Sequence, residues 1–183
     1  MRNLSAIFFI LAFSIIACNQ PVKGRNGVTY KSAVQYNDYI VGRQSKLMQH
    51  VLDFAKAAAK NLDSAETMLA EYTSETAATI EDIKGMPAYK GDTALRDAAV
   101  RSFSFYKNVF QHDYTRIIQI RKKGDEMTNE EMEEMQRIVD KITREEEGFD
   151  KSFHNAQKRF ADKNNMKLAE NEMQKKFEKE IDQ

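Results

Sequence analysis

The chain has 183 residues, with 28 Lys+Arg against 28 Asp+Glu, one cysteine, two prolines, seven glycines and no tryptophan. This balance supplies no global basicity for nucleic acid and no strong acidity of the kind that keeps a chain disordered. A lone cysteine excludes an internal disulfide, so stability has to come from packing. Strands and turns use Gly and Pro as punctuation, and a chain with so little of either reads as helical.

At the N-terminus Arg2 and Asn3 precede an apolar run from Leu4 to Ile16, relieved only by Ser5, Ala6, Ala12 and Ser14. A positive end, a short apolar core and a small residue make the layout of a secretory signal. About thirteen residues are too few to cross a bilayer, which takes roughly twenty in a helix. Ile15-Ile16-Ala17-Cys18 adds a small residue followed by Cys, which resembles the lipobox of bacterial lipoproteins. The resemblance implies that residues 1–17 are a cleaved signal peptide and that Cys18 becomes the lipid-bearing N-terminus. The other readings of the stretch are an ordinary cleavage site beside an ordinary cysteine, or a buried helix. As a nucleophile Cys18 would have no fixed base beside it.

Residues 1–17 hold one charged residue, Arg2, so the remaining 166 residues carry 27 bases and 28 acids. That length suits one domain with a real core. Residues 18–30, with Pro21, Gly24 and Gly27 and no apolar periodicity, are expected to be a lipidated flexible tether. Residues 31–183 are expected to be the bundle domain. The first helix is predicted over 31–60, with Val34, Val41, Met48, Ala55 and Leu62 recurring every seventh residue and Val51/Leu52 and Ala58/Ala59 between them. Asn37 and Gln44 fall in this seam. They form either a buried polar layer that fixes register or an end of the bundle open to water.

Asp63-Ser64-Ala65-Glu66 reads as a cap with a capping-box Glu. The second helix then keeps 3–4 spacing through Ala65, Leu69, Tyr72, Thr76, Ile80 and Ile83, and Gly85 supplies a left-handed stop before Pro87. Asp92 is expected to cap a third helix, with Leu95, Ala99, Phe103, Tyr106, Phe110, Tyr114 and Ile117 along its seam and Gly124 at its end. Thr128-Asn129-Glu130-Glu131 is a second capping box and opens the longest helix. Its seam comprises Met132, Met135, Ile138/Val139, Ile142, Phe149, Phe153, Ala156 and Phe160. A short amphipathic piece with Met173, Phe177 and Ile181 ends the chain. With the loop at Met86–Tyr89, it is expected to cover the part of the bundle that the shorter second helix leaves bare. Four long helices with tight connections predict an all-α, antiparallel up-down four-helix bundle with a short C-terminal amphipathic segment.

Chemistry is sparse in this sequence. Residues three before His50, His112 and His154 are Leu47, Val109 and Lys151, so the Glu-x-x-His pattern of di-iron bundles is missing. Asp150/His154 and His50/Asp53 could each share a helix face, and read as a surface ion pair or no interaction rather than metal ligands. Met127, Met132 and Met135 continue the core seam and read as filler rather than a Cu(I) site. Phe105 points off the third seam, which makes it a contact-site candidate if exposed. Glu146, in the interruption Glu145-Glu146-Glu147, either faces inward opposite Asn37 or Gln44 or rotates to water. Residues 125–151 hold eleven acids and four bases, a solvated face that also suits a basic partner. No catalytic triad, phosphate loop or HExxH is present, so no enzyme, no catalytic residue, no metal and no cofactor are expected.

YNDYIVGRQSKLM, KGDTALRDAAVRSFSFYKNVF and NEMQKK resemble an uncharacterised family of helical surface lipoproteins of leptospires and Bacteroidota, over about residues 36–176. The resemblance implies no activity and no site residue beyond Cys18. Asn19 stands where an Asp would favour inner-membrane retention, which implies an outer-membrane lipid anchor. Asn19-Gln20-Pro21-Val22-Lys23 lacks the early acidic run that surface-displayed Bacteroidota lipoproteins often carry, so periplasm and cell surface both stay open. The expectation is a non-enzymatic, lipid-anchored cell-envelope module that binds the membrane through its lipid and an unidentified protein partner through its surface. The alternative is a small-ligand-binding bundle, with third-helix aromatics and Asn37/Gln44 lining a pocket.

Overall fold

The computed structural model describes residues 21–168. The signal segment, Cys18 and the C-terminal piece with Met173, Phe177 and Ile181 lie outside the described residues. The architecture is an all-α bundle of four helical rods with one two-stranded hairpin. The rods are α1 (Ala33–Lys60), α2 (Leu62–Lys84), a composite third rod and α5 (Asn129–Lys163). The third rod runs through α3 (Ala94–Asn108), a π-helical segment (Val109–Tyr114) and α4 (Thr115–Arg121). A 3-10 turn (Gly124–Glu126) leads to α5. α2 packs against both α1 and α3, and α5 lies along α3.

Local chemistry explains most boundaries. Ser32 caps α1 by accepting from the Gln35 N–H at 3.1 Å, and Gln35 Oε1 accepts from the Lys31 N–H at 2.9 Å. Thr128 and Glu131 form the predicted capping box on α5. Asp92 accepts from the Ala94 N–H at 2.8 Å and so serves the start of α3, one residue outside the formal cap. The α1–α2 junction differs from expectation. Asn61, not Asp63, is the cap: its N–H donates to the Ala57 carbonyl and its Oδ1 accepts from Ser64 at 2.9 Å. One extended residue thus ends one helix and starts the next, and Asp63 sits inside the first turn, where the helix dipole favours an acid.

The seam of α1 also lies one position from the expected one. Met48, Val51, Leu52 and Ala58 are buried as expected, but Val34 is 48% exposed and Ala55 is exposed, and the buried run is Ala33, Asn37, Ile40, Leu47, Val51, Phe54 and Ala58. These follow a strict 4–3 heptad with Gln44 half-buried in its register. The third seam keeps phase through Phe110 and ends on Ile118 and Ile120, with Ile117 half-buried. The π turn accounts for this shift, because it admits an extra residue and turns the following face. Thr115 Oγ1 donates to the Phe110 carbonyl at 3.0 Å, within this widened turn.

Residues 22–30 are not a free tether. Val22–Lys23 pairs antiparallel with Thr29–Tyr30, and Tyr30 is buried among Tyr36 and Tyr39. Asn26 rivets the hairpin down: its amide nitrogen donates to Tyr30 Oη (2.8 Å), the Asp82 carbonyl (3.2 Å) and Tyr39 Oη (3.3 Å). Arg25 N–H donates to the Gly85 carbonyl at 2.7 Å. Gly85 is therefore glycine for a reason other than a left-handed stop. Its φ is −71°, and a Cβ there would lie 2.9 Å from the Asn26 backbone nitrogen.

The hairpin defines one end of the bundle, together with the start of α1, the end of α2, the start of α3 and the end of α5. An aromatic plug of Tyr36, Tyr89 and Phe160 fills it. Tyr36 Oη donates to the Pro87 carbonyl at 2.9 Å. Met86 and Tyr89 are buried, so the predicted loop does cover the short end of α2. At the opposite end Lys122 bridges Asp63 and Glu66, both at 2.5 Å, tying the third rod to α2.

Candidate functional site

Asn37 is buried as the register reading expects, and its Oδ1 accepts from Gln157 Nε2 at 2.9 Å. The bond joins α1 to α5 beside the Tyr36–Phe160 stack and gives a specific polar lock between the two rods. Gln44 is half-buried two turns further along α1.

Glu146 turns inward, but toward neither of these. It accepts from Tyr106 Oη at 2.5 Å, across the α3–α5 interface. Tyr106 is 3% exposed, and burial, then the Glu146 charge, pushes its phenol well above the ordinary range. The neighbouring Tyr114 phenol is raised by the same causes in the same order. Lys141 pairs with Asp113, in the π segment, at 3.0 Å. Burying a tyrosine hydroxyl requires a partner, and Glu146 is that partner, so the pair ties α3 to α5.

Phe105 is not an exposed contact residue. It is buried, stacked on Phe149 at 4.9 Å and edge-on to Tyr106. Phe103, Tyr106 and Phe110 are also packed in the core. His50 does not pair with Asp53, which takes a hydrogen bond from Gln49 instead. Its ring stacks on Tyr72 at 4.1 Å, with Nε2 3.3 Å from Glu75. Burial lowers the His50 imidazole, against the upward pull of Glu75. No group of three or more His, Cys, Asp or Glu that could hold a metal is found among the described residues.

Two surface features remain, and sequence reasoning missed both. The first is the outer half of α5. Between Asn129 and Lys141 no residue is fully buried; Met132 is 44% and Val139 42% exposed, with Met135 and Ile138 half-buried beside them. These side chains were assigned to the core. The π turn and short α4 end the third rod beside this half, and acids surround it, including Glu134, paired with Arg116 at 2.7 Å. The second is an open cleft of about 810 Å³ at the hairpin end, between the start of α3 and the end of α5. Lys90, Arg101, Arg159 and Lys163 line it along with Asp92 and Asp97. Lys163 holds Asp92 at 2.5 Å and, with the Ala94 N–H, lowers its carboxyl. Lys90, Arg101 and Arg159 are exposed and make no ion pair among the described residues. The signal was present in the sequence: residues 158–168 hold four bases and one acid, and residues 21–31 three bases and no acid.

Comparison with protein-family models, curated proteins and solved structures gave no match to this chain. No helix of the described residues is long and apolar enough to cross a membrane.

Proposed function

We propose that this protein is a lipid-anchored, non-enzymatic module of the cell envelope, held by an acylated Cys18 and engaging a protein partner through the outer half of α5. The outer-membrane placement, facing periplasm or cell surface, belongs to the same reading. The observation that carries the interaction role is the pair of exposed apolar side chains Met132 and Val139, with half-buried Met135 between them. Large apolar side chains gathered on one solvent-facing helix face mark interaction surfaces in soluble domains. The surrounding acids add a preference for a basic partner surface. The lipid part rests on the signal layout and on Ala17-Cys18. Two acyl chains suffice for stable anchoring where one does not.

The test is native mass spectrometry of the full-length protein, extracted gently from its own membranes. The expected species is residues 18–183 plus acyl groups, bound to a second polypeptide that the M132K/V139E variant no longer retains. An unmodified chain beginning elsewhere overturns the lipid reading. A second polypeptide that the variant holds equally well overturns the α5 surface. The alternative, a small-ligand bundle, finds its support in the hairpin-end cleft rather than among aromatics; a persistent small adduct lost with R101Q/R159Q would favour it.

A further inference from the structure

The bundle carries opposite charge at its two ends. The segments that meet at the hairpin end are basic: three bases without an acid in residues 21–31, four bases against two acids in 84–101, and four against one in 158–168. Asp38 and Glu81 oppose them from α1 and α2, and Asp82 is spent on Arg43, at 2.6 Å. The rest of α5 and the turn before it, residues 125–151, hold eleven acids against four bases, offset in part by Arg116, Arg121, Lys122 and Lys123 of the third rod. The described bundle therefore has a basic hairpin end and an acidic α5.

The proposed anchor joins the molecule at the basic end. Because the hairpin is fastened to Asp82 and Gly85, only three residues separate Cys18 from Val22, a span of at most about 14 Å. A leash of that length keeps the hairpin end within about one or two Debye lengths of the lipid headgroups, where surface charge is still felt. We infer that the hairpin end, through Lys90, Arg101 and Arg159, docks on an anionic lipid surface, standing the bundle with its acidic, apolar α5 half directed away from the membrane. The inference deepens the lipid-anchored reading and rests on it. Two independent observations meet here: the point where the chain enters the bundle, and exposed bases around the same end that make no ion pair among the described residues. The geometry also explains why the docked hairpin matters, since a free tether of thirteen residues would leave the bundle's orientation unset.

The experiment isolates the basic end from the acyl group. The mature chain, residues 18–183 with C18S, is floated with vesicles of neutral phospholipid or with about 30% anionic phospholipid, at about 0.1 M and about 0.5 M salt. The expected result is binding to anionic vesicles only, weakened by salt. K90Q/R101Q/R159Q should weaken it about 100-fold, roughly five-fold for each base removed near the surface. K60Q/R121Q/R144Q removes the same charge from exposed positions away from that end, and should leave binding nearly unchanged. Equal loss in both triple variants would overturn the orientation, as would absence of any preference for anionic vesicles. Saturable binding of inorganic phosphate without vesicle preference would overturn the lipid surface as the occupant. Failure of acylation is read separately, from the mass of the native protein.

Discussion

Removing the Glu146 carboxylate should destabilise the bundle more than removing the Tyr106 hydroxyl, and the two effects should not add. Tyr106 is 3% exposed and donates to Glu146 Oε1 at 2.5 Å, while Glu146 is only partly buried. In Glu146→Ala the buried hydroxyl loses its acceptor, which costs about 1–3 kcal/mol. In Tyr106→Phe the surviving carboxylate is resolvated at the rod surface, so the cost falls to about 1 kcal/mol. The double variant leaves neither group stranded. The two single losses together should therefore exceed its loss by about 1–2 kcal/mol, in the range for a hydrogen bond to a charged acceptor. Urea unfolding of the four proteins at neutral pH measures this directly, and melting temperatures should move about 2–4 °C per kcal/mol in a domain of this size. A coupling below about 0.3 kcal/mol would refute the assignment of Glu146 as the partner that permits Tyr106 to be buried.

Stability should fall steeply above about pH 10. Burial raises the phenols of Tyr30, Tyr36, Tyr39, Tyr72, Tyr89, Tyr106 and Tyr114 above their ordinary 10.0. A raised folded-state value contributes stability that is complete below pH 10 and lost as pH climbs through the folded value. On the acid side Asp92 is lowered by Lys163 and Glu75 by Lys46. Their contributions are present above the ordinary carboxylate range and disappear as pH falls through the lowered values, so circular dichroism against pH should show an acid loss smaller than the alkaline one. Gly85→Ala should cost about 1–3 kcal/mol, because the new Cβ presses on the Asn26 backbone, and should speed tryptic cleavage at Lys23 and Arg25. Asn61→Ala should cost about 1 kcal/mol as a lost cap, read by thermal unfolding. Val139→Lys, at an exposed site, should change stability by no more than about 0.5 kcal/mol.

The helices were legible because their signals are local. Thr128 and Glu131 sit three residues apart and find each other without help from the fold. Seam phase was less legible. Val34, Val41, Met48 and Ala55 make a more apolar stripe than the true register, which contains Ala33, Asn37 and Gln44; the large Tyr36, Ile40, Leu47 and Phe54 decided the rotation. The hairpin could not be read from residues 22–30, whose strands are two residues long and partly polar. It exists because Asn26 meets Asp82, 56 residues away. The π turn left little trace, since one inserted residue barely disturbs 3–4 spacing. Nor could α5's exposed half be foreseen, because periodicity shows that a helix has an apolar face and not whether a neighbour is long enough to cover it. Cys18 was read entirely from the sequence and lies outside the described residues.

The strap formed by residues 22–30 has a mechanical meaning as well. Tension entering along the N-terminus meets the Val22–Tyr30 pairing, the Arg25–Gly85 bond and the Asn26 contacts before it can reach α1. These are short-range bonds at one spot, so they yield before a helical rod buried along its length. Their rupture releases about nine residues, roughly 30 Å of chain. The four rods stay intact while the slack is taken up, and the strap can re-form when the load drops. A pull on the N-terminus thus meets a replaceable fuse before it meets the fold.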